Sequence, residues 1–140
     1  MQQERKAAMR ETGILMPVSA LPSRTGVGEL GAYAYEFVEA LRENGVKIWQ
    51  ILPLNPVGYG NSPYQPYSSC AGDEIYISLD LLFEAGLLKE QAPTFHENVR
   101  TVDYDAVRTF KEPYLKEASM GLRVRCIPCQ EKGEPQSLLE

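Results

Sequence analysis

A parallel α/β fold is predicted for this chain of 140 residues, on three observations. Two short apolar runs, at residues 13–18 and 47–52, have the length and composition of buried strands. A helical pattern lies between them, so strand, helix and strand follow one another within about forty residues, as in a βαβ unit. Each run is followed by a loop rich in turn residues. Both loops should leave the sheet at its carboxyl edge, where ligands bind in such folds.

The helix between the strands is predicted over residues 30–44. Four apolar side chains recur at positions i, i+3, i+4 and i+7 and form one stripe, whereas charged side chains lie on the other side. The stripe consists of Ala34, Phe37, Val38 and Leu41. Gly45 supplies the positive φ that commonly ends a helix, so we expect the helix to end there.

Two weaker elements follow the second strand and its loop. Residues 75–79 suggest a short strand or extended segment. Ser78 or Asp80 is placed to cap a short helix over residues 81–85, which Gly86 would end.

The last regular element predicted is a helix over residues 104–118. Asp103 is its expected N-cap, and Pro113 should kink or interrupt it because proline has no amide hydrogen to donate. Residues 119–140 have no sustained period, so we expect a disordered tail there. Residues 1–12 are charged and are expected to be flexible.

The loop at residues 53–67 is the strongest functional signal. It contains four prolines, two glycines and three tyrosines, so its backbone is stiff while aromatic rings are held out. Rigid rings beside Asn, Ser and Gln suit a sugar, whose C–H faces stack on rings and whose hydroxyls need hydrogen-bond partners. The alternative is that the prolines and tyrosines only pack a long excursion. Loops of this length without regular structure usually have a function.

The loop at residues 19–28 is rich in turn residues, and its backbone could approach a ligand at Gly26 and Gly28. The alternative is that these glycines belong to a phosphate-binding loop. The Lys-Ser or Lys-Thr pair of a phosphate-binding loop does not follow, so an ordinary strand-to-helix loop is favoured.

Composition narrows the class of protein. The chain is 44% hydrophobic and 24% charged with a formal net charge of −5, which is typical of a globular domain and gives no positive surface for nucleic acid. Its start is polar, and the apolar run at residues 14–16 is too short for a signal peptide or a membrane span. We therefore expect a cytoplasmic protein with neither nucleic acid nor membrane as a partner. The oligomeric state is not predicted.

The three cysteines, an odd number, argue against a disulfide framework. Cys126 and Cys129 form a Cys-x-x-Cys pair, but zinc would need two further ligands and a redox pair would need a thioredoxin-like unit around it. The sequence shows neither the further zinc ligands nor a thioredoxin-like unit, so no metal site is predicted. Cys70 is interpreted as a small buried residue rather than a nucleophile, because the sole histidine, His96, lies in a polar connector.

Three motifs in order carry a family resemblance over roughly residues 10–118. They read Gly13-Ile-Leu-Met-Pro-Val-Ser-Ala-Leu-Pro-Ser, Gly26-Val-Gly-Glu-Leu-Gly and Trp49-Gln-Ile-Leu-Pro-Leu-Asn-Pro-Val-Gly-Tyr-Gly-Asn-Ser-Pro-Tyr-Gln. The sequence resembles the amino-terminal part of the 4-alpha-glucanotransferases, also called amylomaltases or disproportionating enzymes, of the alpha-amylase-like superfamily.

This resemblance implies the fold and the activity. Residues 13–118 would form part of an incomplete (β/α)8 TIM barrel, with the first βαβ unit, a long loop and helices. The complete enzyme would transfer alpha-1,4-glucan segments between maltooligosaccharides through a covalent glycosyl-enzyme, using carboxylates and no metal or organic cofactor.

The resemblance also implies roles for four residues of the loop. Ser62 and Tyr64 would line the sugar site next to the cleaved bond, with Tyr64 stacking on the glucosyl ring or donating a hydrogen bond to it. Gln65 would contact a neighbouring hydroxyl. Tyr59 is similar to an aromatic residue of a secondary glucan site outside the catalytic groove.

The catalytic carboxylates of the family lie on later barrel strands, so no catalytic residue is predicted in this chain. Its own carboxylates sit where turns, caps or surface groups are expected; those considered are Asp73, Asp80, Asp103 and Asp105. Without the catalytic carboxylates we expect the chain to be inactive alone. The abrupt loss of helical pattern after Ala118 suggests a truncated product, from a frameshift or a fragmentary gene model. The alternative is a small non-catalytic glucan-binding protein that uses the loop at residues 59–67.

Overall fold

The computed structural model describes residues 11–95 and 101–130, and these fall into two compact units. The first unit holds the sheet, its helix and the tyrosine-containing loop, up to residue 77. The second unit holds the later helices from residue 78 onward, together with residues 24–26.

The sheet of the first unit consists of two parallel strands. β1 (Gly13–Leu15) pairs with β2 (Ile48–Gln50) in the register Ile14 opposite Trp49. The ladder is extended by the Met16 amide, which donates to the Gln50 carbonyl oxygen over 3.0 Å. The predicted parallel pairing is confirmed, but both strands are shorter than predicted, since a proline that cannot donate follows each of them closely.

The connecting helix α1 (Ala32–Glu43) ends where its sequence predicts. Asn44 is the C-cap, and Gly45 has φ 70°. Of the predicted apolar stripe, Ala34 and Leu41 are buried, whereas Val38 is exposed. Phe37 packs edge-on against Trp49 with 5.1 Å between ring centroids, so α1 covers one face of the sheet.

Gly28 packs against the backbone of its own loop. A 3-10 helix at Val18–Ala20 follows β1, and the Gly28 amide donates to the Ser19 carbonyl oxygen over 3.1 Å. A Cβ at Gly28 would lie 2.0 Å from the Val18 carbonyl oxygen. The close approach anticipated for a ligand at this glycine is therefore made by the chain itself.

The second unit is built from α2 (Leu79–Glu84) and α3 (Tyr104–Gln130). Four buried residues form its core, with larger side chains packed around them; the four are Leu79, Leu88, Ala92 and Ala118. The predicted caps are confirmed. The Ser78 hydroxyl accepts from the Leu81 amide over 3.5 Å, and the Asp103 carboxylate accepts from the Ala106 amide over 3.0 Å.

The predicted end of the last helix is wrong. α3 continues past residue 118 to Gln130 and is not interrupted at Pro113. Phe110 and Ala118, on either side of the proline, belong to the same packed cluster, and this tertiary packing offsets the lost amide. Residues 75–79 were predicted as a short strand or extended segment, and Ile77 and Ser78 are extended without forming a strand. The residues before them form a 3-10 helix at Glu74–Tyr76, which begins where the buried Asp73 carboxylate accepts from the Ile75 amide.

Some expectations lie outside the described residues: the flexibility of residues 1–10 and the structure of residues 131–140. The division of the chain into a barrel part and a tail stays a prediction. Among the residues described, no helix has both the length and the apolar character needed to cross a bilayer.

Replacing Gly28 by alanine should destabilise the protein by about 3 kcal/mol or more, because the new methyl group would overlap a backbone oxygen. Urea unfolding followed by circular dichroism measures the loss. Gly72→Ala is the matched control, since a Cβ there meets no atom within 4 Å, and its effect should stay below about 1 kcal/mol. Equal stability of the two variants would contradict the packing described for Gly28.

Candidate functional site

The loop that follows β2, residues 53–67, is called the tyrosine loop below. Its base is closed by two hydrogen bonds to the segment that follows it. The Asp73 amide donates to the Leu54 carbonyl oxygen over 2.7 Å, and the Asn55 side-chain amide donates to the Ala71 carbonyl oxygen over 2.8 Å. The excursion therefore starts and ends at nearly the same point beside the sheet.

The tyrosine loop pairs with itself above this base. Val57 and Pro66 form an antiparallel bridge. The Gly58 amide donates to the Gln65 carbonyl oxygen over 3.2 Å, and the Tyr67 amide donates to the Pro56 carbonyl oxygen over 3.0 Å. The loop is thus a short hairpin rather than the irregular excursion that its sequence predicts.

The tip of the hairpin turns through left-handed backbone. A 3-10 helix at Tyr59–Asn61 contains Gly60 at φ 79° and ends on Asn61 at φ 52°. Asparagine and glycine tolerate this region better than other residues do. A second turn follows, in which the Gln65 amide donates to the Ser62 carbonyl oxygen over 3.1 Å.

Three of the four predicted site residues lie in this second turn. The Tyr64 side chain is 71% exposed, Gln65 is exposed and Ser62 is half-buried. The structure therefore brings a ring, an amide and a hydroxyl together within one turn. Tyr59 lies in the 3-10 helix of the same tip, and its side chain is outside what the structure describes.

Tyr67 is a further candidate that the predicted site omitted. Its side chain is 81% exposed, more than that of Tyr64, and its ring lies over Gly58, where a Cβ would be 3.6 Å from it. A repeated Pro-Tyr pair in the sequence could have identified Tyr67, since Pro66 precedes Tyr67 as Pro63 precedes Tyr64. The loop therefore presents two outward rings on a paired backbone.

Three of the four carboxylates that were considered have structural partners, and the fourth, Asp105, lies on the surface. Asp73 is buried and caps the 3-10 helix at Glu74–Tyr76. Asp80 accepts from the Gln91 amide over 3.0 Å and lies 3.4 Å from the Arg24 guanidinium. Asp103 caps α3, where Asp105 is exposed. Their interpretation as caps, turns and surface groups agrees with these contacts.

The resolved pKa shifts lie away from the tyrosine loop. The pKa of the exposed Glu39 carboxyl is lowered by its hydrogen bond from the Arg42 guanidinium, whose Nε donates over 2.9 Å one turn along α1. The same pair raises the pKa of Arg42. This pair belongs to the surface of α1.

The cysteine interpretation is wrong in one respect. Cys70 is exposed, because it lies in a turn at the base of the loop, where its amide donates to the Ser68 hydroxyl over 3.3 Å. The side chains of Cys126 and Cys129 are outside the described residues. In the part of the chain that is described, no group of three His, Cys, Asp or Glu residues could hold a metal ion.

Comparison with known proteins identifies relatives of this chain. A family model described as 4-alpha-glucanotransferase matches residues 16–134. The 4-alpha-glucanotransferase of Thermus thermophilus is 41% identical over 119 residues, which cover 85% of this chain and 23% of that protein. Its counterpart from Synechocystis is 47% identical over 113 residues, covering 78% of this chain and 22% of that protein.

A solved structure resembles the chain as well. It is an amylomaltase from Streptococcus agalactiae in complex with acarbose, with a TM-score of 0.76 and 34% identity over 89% of this chain and 27% of that one. The chain thus spans about a quarter of the length of its relatives. The family match also continues past residue 118, where the resemblance was expected to end.

Replacing Gly58 by alanine should loosen the tyrosine loop, because a Cβ there would lie 2.9 Å from the Gln65 carbonyl oxygen that the Gly58 amide donates to. Amide hydrogen exchange should become at least about tenfold faster at Tyr67, on the opposite side of the hairpin. The Val46 amide, which donates to Leu41 at the end of α1, serves as the internal control and should keep its rate. Unchanged protection at Tyr67 would count against the pairing.

Proposed function

The chain belongs to the 4-alpha-glucanotransferase family, and on this premise we propose that its tyrosine loop binds alpha-1,4-glucans. In the complete family protein, the loop would hold a glucosyl unit beside the bond that is cleaved. Tyr64 would contact the sugar ring, Ser62 and Gln65 would contact its hydroxyls, and Tyr59 would serve a secondary glucan site.

The exposed Tyr64 ring, carried by a hydrogen-bonded turn, supports this proposal most directly. The ring is 71% exposed, and the backbone that carries it is held by the turn that joins Ser62 to Gln65. A backbone that is already ordered loses less entropy when a sugar binds. The adjacent hydroxyl and amide supply the polar contacts that fix the orientation of a pyranose.

The fold proposed for the chain is the start of a (β/α)8 barrel. Its parallel βαβ unit is what such a barrel begins with, and a closed barrel needs about 250 residues. The tyrosine loop leaves at the carboxyl end of β2, which is the end where barrel enzymes carry their active sites. A cytoplasmic location remains a prediction.

Catalysis is assigned to the complete family protein and not to this chain. Retaining glycosyl transfer needs two carboxyl groups about 5.5 Å apart, one as nucleophile and one as acid and base. Asp73 and Asp103 cap helices, and Asp80 faces Arg24, so each of these carboxylates already has a structural role.

A non-catalytic glucan-binding protein is the second candidate function. The observation that favours it is the self-contained hydrogen bonding of the tyrosine loop, which depends on residues 54–73 alone. Binding of sugar by the loop is common to both candidates. Transfer activity of a longer protein that contains this chain would support the first candidate, and its absence would support the second.

Tyr64→Ala should weaken binding of maltoheptaose to the 140-residue chain about tenfold, since it removes the proposed stacking surface. Isothermal titration calorimetry measures this change. Tyr35→Ala is the matched control, because Tyr35 is 69% exposed but lies on α1, and it should leave the affinity unchanged. Equal losses in the two variants, or no binding by the unaltered chain at millimolar sugar, would refute the proposed role of the loop.

The chain alone should release no glucose from maltotriose and form no longer oligomers. Chromatography of the products after prolonged incubation, beside a full-length family enzyme as positive control, measures this. Glucose together with maltopentaose in the reaction of the purified chain would overturn the assignment of catalysis to the complete protein.

A further inference from the structure

Asn55 lies at the joint between the tyrosine loop and its base. On one side of it, the Leu54 carbonyl oxygen accepts from the Asp73 amide over 2.7 Å, which closes the base. On the other side, the Pro56 carbonyl oxygen accepts from the Tyr67 amide over 3.0 Å, which begins the pairing of the hairpin. A single residue therefore connects the base to the hairpin on the entry side of the loop.

The exit side of the loop is longer and has a turn of its own. Residues 68–72 connect the hairpin to the base there, and the Ser68 hydroxyl accepts from the amides of Cys70 and Ala71, each over 3.3 Å. A hydroxyl that accepts from amides two and three residues further along stabilises a local turn. This turn holds the backbone that carries the Ala71 carbonyl oxygen.

The Asn55 side chain bridges the two sides at this joint. Its amide nitrogen donates to the Ala71 carbonyl oxygen over 2.8 Å. A carbonyl oxygen can only accept a hydrogen bond, so this contact requires a donor on the side chain of residue 55. Without the contact, the hairpin would be joined to the base by one residue on the entry side and by residues 68–72 on the exit side, and it could pivot between them.

We propose that Asn55 is a positioning residue, whose side-chain amide fixes the direction in which the tyrosine loop leaves the sheet and so places Tyr64 for the sugar. Asn55 is half-buried, and the hairpin pairing separates it from the turn at residues 62–65, so it acts through the backbone. A loop that is already fixed loses less entropy when a ligand binds. The role in sugar binding rests on the proposed function, whereas the fixing of the loop does not.

Asn55→Asp tests the requirement for a donor, because a carboxylate can only accept and would face the Ala71 carbonyl oxygen. At about pH 7.5, amide hydrogen exchange at Asp73, which reports closure of the base, should become about tenfold faster than in the unaltered chain. The neutral carboxyl can donate to Ala71, and this contact should raise its pKa above the ordinary value of about 3.9. At about pH 4, exchange should therefore return to within about threefold of the rate in the unaltered chain at that pH.

Two variants serve as controls for this measurement. Asn55→Ala removes the donor without adding a titratable group, so exchange at Asp73 should be fast at both pH values. The comparison with Asn55→Ala also corrects for titration of the neighbouring Cys70 thiol and Asp73 carboxyl. Asn44→Asp removes an equivalent contact at the end of α1, where the Asn44 side-chain amide donates to the Ala40 carbonyl oxygen over 2.8 Å, and it should leave exchange at Asp73 unchanged.

Sugar affinity separates positioning from a purely structural role. Isothermal titration calorimetry with maltoheptaose at about pH 7.5 should show affinity about threefold or more weaker in Asn55→Asp, and recovery at about pH 4. Asn44→Asp should bind as the unaltered chain does at both pH values.

Unchanged exchange at Asp73 in Asn55→Asp, failure of acid to restore it, or unchanged affinity beside faster exchange would each overturn the proposal. Absence of sugar binding by the unaltered chain would overturn the proposed function and, with it, the role of Asn55 in binding. The exchange measurement would still decide whether Asn55 fixes the loop, so the two failures are distinguishable.

Discussion

Parallel pairing of β1 with β2 is the constraint on which the first unit depends. Trp49 links three elements at this point: it lies in β2, its indole Nε1 donates to the Met16 carbonyl oxygen over 2.8 Å, and its ring packs on Phe37 of α1. Since both strands run in the same direction, the loops that follow them must leave from the same edge. The direction of the strands therefore fixes the edge of the sheet at which the tyrosine loop begins, independently of the sequence of the loop.

Backbone hydrogen bonds stabilise the tyrosine loop, as buried apolar side chains stabilise a larger core. The bond between Tyr67 and Pro56 orders the hairpin, and the bond between Asp73 and Leu54 anchors it. Ordering the backbone of a residue costs about 1–2 kcal/mol, and this cost is met during folding rather than during ligand binding. The exposed tyrosines are consequently carried on an ordered backbone, which an unpaired loop would not provide.

Sequence patterns predicted the features that depend on neighbouring residues. The βαβ order, the end of α1 at Gly45 and the caps Ser78 and Asp103 were all correct, because each is determined within a few positions. The missed features require contacts that are distant along the chain. Continuation of α3 through Pro113 depends on packing with the Leu79 cluster. The exposed rings of the loop were expected, but the pairing of Val57 with Pro66 that supports them has no pattern in the sequence.

The meeting of Leu54 and Asp73 has an evolutionary consequence. A loop whose two ends are joined can gain or lose residues at its tip without shifting the strand that supports it, because the entropic cost of closing a longer loop grows only with the logarithm of its length. Residues can thus be inserted or deleted around Asn61 in the course of evolution while the strands below keep their places.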